Sequence, residues 1–179
     1  MPSFDYTFKV LMLGEASVGK TSLTKRYVQG IFNPDEKLTI GVDFYIKTVD
    51  VLDKKVKLQI WDLGGEQRFR FLLPTYCLGA NATIFMYDIT RLNTLENIHS
   101  WLSIVYQRSG LIPIMLVGSK LDLEKHERSV PRDYGIQVAQ ENDLAGWIEI
   151  SSKNNVNVDN VFETLCKFML ERAVKRSKF

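Results

Sequence analysis

Gly14-Glu15-Ala16-Ser17-Val18-Gly19-Lys20-Thr21 fits the pattern G-x-x-x-x-G-K-[ST]. Glycines at these spacings let a backbone turn wrap an anion and aim its N–H groups inward. A helix that starts where the turn ends adds its positive pole. Lys20 is then placed for the outer phosphates of a nucleotide and the Thr21 hydroxyl for Mg²⁺, so residues 14–22, Ser22 included, read as a phosphate cradle. A glycine-rich turn with no ligand fits the same letters. Here, however, the pattern follows an apolar run and opens a helical one, the context that gives it chemical meaning.

Three further residues belong with a phosphate and a cation. Asp62 ends the alternating run 56–61, where a carboxylate can hold Mg²⁺. Gly65 follows three positions on, and a glycine N–H approaches a γ-phosphate without a side-chain clash. Thr39 can add a hydroxyl to the cation and a backbone N–H to the γ-phosphate, although a β-branched residue at a strand start is its plainer reading.

A second group suits a purine base. Ser119-Lys120-Leu121-Asp122-Leu123 follows the apolar run 112–118. A carboxylate at Asp122 accepts two hydrogen bonds side by side, matching the ring N–H and exocyclic amine of guanine. Adenine lacks that pair, and leaving the carboxylate unmatched costs about 1–3 kcal/mol. Lys120 would lay its stem along the base plane. Ser151-Ser152-Lys153 would offer backbone N–H groups to the guanine oxygen, and Phe32 would pack edge-on to the base unless it is an ordinary core aromatic.

The elements that must carry these residues alternate along the chain. Residues 8–13, 83–88, 112–118 and 147–150 are buried-strand runs, and 44–52 and 56–61 alternate as a hairpin turned at Asp53-Lys54-Lys55. Helical patterns cover 21–29, 94–107, 131–141 and 158–174. Such alternation implies an α/β fold, a mostly parallel sheet with helices on both faces and one antiparallel edge strand. Ligands of such sheets bind beyond the carboxyl ends of the strands, where all the residues above fall.

Composition narrows the class. The chain has 179 residues, 45% hydrophobic and 25% charged, about one domain's worth. A net charge of +2 gives no reason to expect nucleic acid. Cys77 and Cys166 lie in apolar stretches and are expected as reduced, buried thiols of a cytoplasmic protein. No apolar run reaches the ~20 residues of a spanning helix. Pro2 excludes N-myristoylation and the Arg-Ser-Lys-Phe end offers no prenylatable cysteine, so no lipid anchor is expected of this chain. Arg172, Lys175, Arg176 and Lys178 form a basic end that reads as a solvated helix terminus or as weak attraction to an anionic membrane. His99 and His126 show no ligand spacing.

With these blocks in this order the sequence resembles the Ras superfamily of small GTPases, and the Rab family most closely, over about residues 8–174. The resemblance implies a P-loop NTPase G domain across 1–179 with a six-stranded sheet, binding GTP or GDP with Mg²⁺ and hydrolysing GTP slowly. Lys20, Thr39, Gly65, Glu66 and Gln67 would serve the γ-phosphate and the attacking water. Thr39–Phe44 reads as a Rab-type first switch and Trp61 through Phe69 as the second. Phe44, Trp61 and Tyr76 look like the aromatic triad that Rab proteins show to effectors, against a plain core role. Effectors, exchange factors and activators would meet residues 33–46 and 62–78 of a monomer that is cytoplasmic or peripheral on membranes.

Trp61-Asp62-Leu63-Gly64-Gly65 instead looks like the Arf family or the GTPases of fungal mitotic exit. Three positions depart from the pattern. Glu66 stands where these families place the water-orienting Gln, with Gln67 next. Ser119 replaces the usual Asn, a change worth ~1 kcal/mol of nucleotide binding. Ala16 and Ser17 fill places that are often glycine. A guanine-nucleotide module that barely hydrolyses therefore stands beside the switch, and a nucleotide kinase or ATPase beside both, though nothing in it would need Asp122 and Ser151-Ser152-Lys153.

Overall fold

The computed structural model describes residues 4–176. Pro2 and Lys178, on which two expectations above rest in part, lie outside the described residues.

Strand β1 (Tyr6–Leu13) leads through the glycine-rich turn into α1 (Lys20–Gln29). The hairpin β2 (Val42–Val51) and β3 (Lys54–Leu63) follows, then a 3₁₀ stretch (Gln67–Leu72) and α2 (Leu73–Cys77). Next come β4 (Ala82–Asp88), α3 (Asn93–Glu96), α4 (Ile98–Ser109) and β5 (Ile114–Ser119). After a short turn, α5 (Glu124–Glu127), α6 (Arg132–Glu141), β6 (Gly146–Glu149) and α7 (Val158–Arg176) complete the order. One sheet of six strands results, in the order β2-β3-β1-β4-β5-β6. All pairs are parallel except β2 with β3.

Alternation along the central strands builds two cores. Val10, Met12, Ile84 and Met86 face α1 and α7, where the Tyr27 and Phe162 rings stack at 3.7 Å. Leu11, Leu13, Phe85 and Tyr87 face the other way, toward Trp101 and Leu102 of α4 and Val138 of α6. Val10 to Leu13 of β1 and the whole of β4 and β5 are buried because these strands are covered on both faces. Cys77 and Cys166 are free and buried.

The 3₁₀ stretch, α2 and α5 are additions to the elements expected from the sequence, and two expected elements are altered. The hairpin turns at Leu52 and Asp53, both left-handed with φ 50° and 57°, and Lys54 and Lys55 already pair with β2. This is the two-residue turn whose twist matches the strands it joins. The single helix expected over 94–107 is broken at Asn97, between α3 and α4. Leu95, Ile98, Trp101 and Leu102 all stay buried across the break, so the apolar period hides it.

Candidate functional site

The turns after β1, β3, β5 and β6 gather at the carboxyl edge of the sheet around a cleft of ≈ 510 Å³. Its walls include Ala16 to Ser22, Phe32, Thr39, Gly65, Glu66, Ser119, Lys120, Asp122, Leu123, Ser152 and Lys153. Gly14, Glu15, Asp62, Gln67 and Ser151 are not among the lining residues.

The cradle owes its shape to backbone that leaves the right-handed region three times, at Gly14 (φ 136°), Ser17 (φ 62°) and Gly19 (φ 94°). Alternation of this kind turns successive N–H groups to one side. Gly14 is obligatory for a second reason: a Cβ there would stand 2.2 Å from the Met86 carbonyl oxygen. Ser17 takes a conformation that glycine adopts more cheaply. Lys20 is buried and bridges the turn, its Nζ donating to the carbonyls of Gly14 (2.8 Å) and Glu15 (2.9 Å). Burial lowers its pKa to about 8, against the opposing pull of Asp62 and Glu15.

Behind the cradle three oxygens converge. Thr21 Oγ1 lies 2.5 Å from Asp62 Oδ2 and 2.7 Å from Thr39 Oγ1, and Thr39 Oγ1 is 3.4 Å from Asp62 Oδ2. Asp62 is fully buried, and its Oδ1 has no hydrogen-bond partner among the described residues. Burial raises its pKa to about 6, opposed by the Thr21 hydroxyl and Lys20. Two hydroxyls and a carboxylate with an orphaned oxygen are a donor set that fits Mg²⁺, which favours few protein oxygens plus those of a phosphate.

Gly65 backs directly onto the cradle: a Cβ there would stand 2.4 Å from the Glu15 carbonyl carbon and 2.5 Å from the Ala16 nitrogen. Glu66 lines the cleft, whereas Gln67, which opens the 3₁₀ stretch, is exposed. Glu15, expected as a ligand contact, turns its carboxylate outward to Arg70.

At the base end, Asp122 Oδ1 accepts from Ser151 Oγ at 2.6 Å. Lys120, left-handed at φ 66°, ion-pairs with buried Asp88 at 2.7 Å, which pins the end of its stem. Asp88 Oδ1 also accepts from Thr90 N–H and Oγ1, and Oδ2 from Arg91 Nε. Burial would raise the Asp88 pKa, yet the bonds from Lys120 and Thr90 bring it below the ordinary value. Ser119 Oγ donates to the carbonyls of Val18 (2.6 Å) and Tyr87 (2.9 Å), tying the end of β5 to the cradle.

The Phe44 and Trp61 rings lie 4.7 Å apart and the Trp61 and Tyr76 rings 5.4 Å apart. Phe44 is exposed, as are Ile40, Ile46 and Phe71. Reading the sequence alone overlooks Lys25, which clasps Glu36 of the first switch at 2.7 Å, and the Glu15–Arg70 and Asp88–Lys120 pairs. Opposite charges were the available signal, but their partners are set by the fold.

The family model for the Ras family matches residues 9–171. The chain is 42% identical over 171 residues to the Ras-related protein SEC4 of Saccharomyces cerevisiae, covering 95% of this chain and 78% of that one. It is 40% identical to the Ras-related protein Rab-13 of Canis lupus familiaris, covering 94% and 82%. Identity is also 40% to the human Ras-related protein Rab-30, covering 96% and 84%. A phosphate cradle, a cation-shaped trio of oxygens and a carboxylate at the base end, set on this sheet and matched along nearly its whole length, mean that the chain belongs to the Ras family of small GTP-binding proteins, is Rab-like, and takes guanine nucleotide with Mg²⁺.

Proposed function

We propose that the protein is a single-domain switch that hydrolyses GTP slowly and binds its partners in the GTP state, in Rab-like trafficking or signalling. The observation that carries this reading is the approach of Thr39 to Thr21 and Asp62, which brings the first switch onto the cation trio. In the proposal, bound Mg²⁺ offsets charge on the phosphate oxygens. Lys20 holds the outer phosphates. The Thr39 and Gly65 N–H groups hold the γ-phosphate, so its loss releases both loops. Asp122 selects guanine, and Ser152 and Lys153 face its oxygen with backbone N–H groups. Effectors, exchange factors and activators meet residues 33–46 and 62–78, with Phe44, Trp61 and Tyr76 as the apolar centre. The protein works as a monomer in the cytoplasm and peripherally at membranes.

Purified protein should carry GDP or GTP detectable by mass analysis, and should cleave GTP only with Mg²⁺. Thr39→Ala should keep GDP but lose GTP-dependent partner capture; unchanged capture would count against the switch.

A second reading has its own observation. Glu66, not Gln67, lines the cleft, and a carboxylate cannot donate to a γ-phosphate. On that reading the protein holds guanine nucleotide and barely hydrolyses it.

A further inference from the structure

Arg26 lies on α1, belongs to no motif, and does not line the cleft. Its guanidinium nevertheless reaches three backbone carbonyls, two in a distant segment of the chain and one at the end of its own helix. Nε donates to Ser152 O at 2.7 Å, Nη2 to Lys153 O at 3.0 Å and Nη1 to Gly30 O at 2.9 Å. Its Cζ stands 5.9 Å from the centroid of the Phe32 ring. Gly30 is the left-handed cap from which the first switch departs, and its N–H returns a bond to Arg26 O at 3.0 Å.

The geometry continues inward. In a trans peptide the C=O and the following N–H point opposite ways. Tying Lys153 C=O to Arg26 therefore turns the Asn154 N–H away from it, and that N–H donates to Ser151 Oγ at 3.0 Å. Ser151 Oγ in turn donates to Asp122 Oδ1 at 2.6 Å. By the same planarity, tying Ser152 C=O aims the Lys153 N–H away from Arg26. One side chain thus governs the outer wall of the base end, through Phe32 and Gly30, and its inner reader, through Ser151 and Asp122. The planar fork of an arginine can hold three carbonyls at fixed angles, and an ammonium cannot reproduce that arrangement.

We propose that Arg26 is a positioning residue for guanine, setting both how long the nucleotide stays and how strictly the base is read. The proposal rests on the reading of the cleft as a guanine-nucleotide site. The test is stopped-flow release of fluorescent GDP and IDP from wild type, Arg26→Ala and Arg26→Lys. IDP lacks the exocyclic amine that pairs with Asp122. Arg26→Ala should release GDP about tenfold faster or more, as expected when charge-assisted bonds to carbonyls are lost. GDP should be accelerated more than IDP, so the preference between them shrinks. Chelating Mg²⁺ should speed release by the same factor in all three proteins, because the cation trio is untouched. Arg26→Lys keeps charge and stem and should also lose preference; it carries the test by itself if Arg26→Ala does not fold.

A GDP release rate within about twofold of wild type overturns the proposal, since one lost hydrogen bond to a charged group already exceeds that. Equal acceleration of GDP and IDP, or full preference in Arg26→Lys, overturns it too. Wild type that binds neither nucleotide overturns the reading of the cleft along with it, whereas wild-type binding with unaltered variants overturns the role of Arg26 alone.

Discussion

Glu66 pairs with Arg68 at 3.0 Å, but the arginine side chain is 66% exposed, and such pairs contribute at most about 1 kcal/mol. Glu66 also lines the cleft, and on the proposed reading its side chain stands beside the γ-phosphate. A neutral amide there both donates and accepts, and so can orient water without repulsion. Glu66→Gln should raise single-turnover GTP cleavage about tenfold or more, a typical return for one well-aimed donor. Measured against wild type at saturating Mg²⁺, an unchanged rate would show that this side chain does not govern the water. At this scale the motif residues were legible because chemistry fixes their types and spacing. The choice between Glu66 and Gln67 was not, since adjacent positions differ only in which way the chain turns after Gly65. Arg26 was hidden for another reason: its partner carbonyls at Ser152 and Lys153 are backbone, and lie 126 and 127 residues away.

The second switch is the element least visible in the sequence. The 3₁₀ stretch Gln67–Leu72 and α2 carry no long apolar period, and Pro74 falls at the start of α2, where a proline is tolerated. What holds the stretch is tertiary. Arg70 ion-pairs with Glu15 of the cradle and lies 4.6 Å over the Trp101 ring of α4. A half-buried pair and a cation over an indole together contribute about 1–2 kcal/mol. Arg70→Ala should therefore speed amide hydrogen exchange across residues 66–77 by about tenfold while α7 is unaffected. Equal protection in the variant would mean that α2 packing alone holds the switch. The strands, in contrast, were readable to within about two residues, because the second half of β1 and all of β4 and β5 are buried on both faces and largely apolar.

For the molecule as a whole, the two cores on either side of the sheet leave one edge to polar groups that fold without their ligand at a cost. Lys20 and Asp62 are both buried, the first with its pKa pulled down and the second with its pKa pushed up. A nucleotide with Mg²⁺ relieves both, and binding linkage at about a thousandfold excess over Kd contributes about 4 kcal/mol. For a chain of this size that is a rise of about 10 °C in Tm. Scanning calorimetry of GDP-loaded protein before and after chelation and removal of nucleotide should show that gap, and coincident transitions would speak against the linkage. The overall architecture followed from strand–helix alternation, whereas the side of the sheet that each helix covers came only with the structure.

The β2–β3 hairpin has ten paired positions, from Val42 opposite Leu63 to Val51 opposite Lys54. The segments that carry Thr39 and Gly65 both hang from its open end, and its tip at Leu52-Asp53 points to the far pole. The ribbon thus acts as a spacer of set length: slipping it by one rung would throw Phe44 and Trp61 onto opposite faces and part Thr39 from Asp62. The two-residue tip fixes that register, so the far pole holds the near one in place: a tip of another length would keep the spacing only where it kept the pairing of Val51 with Lys54.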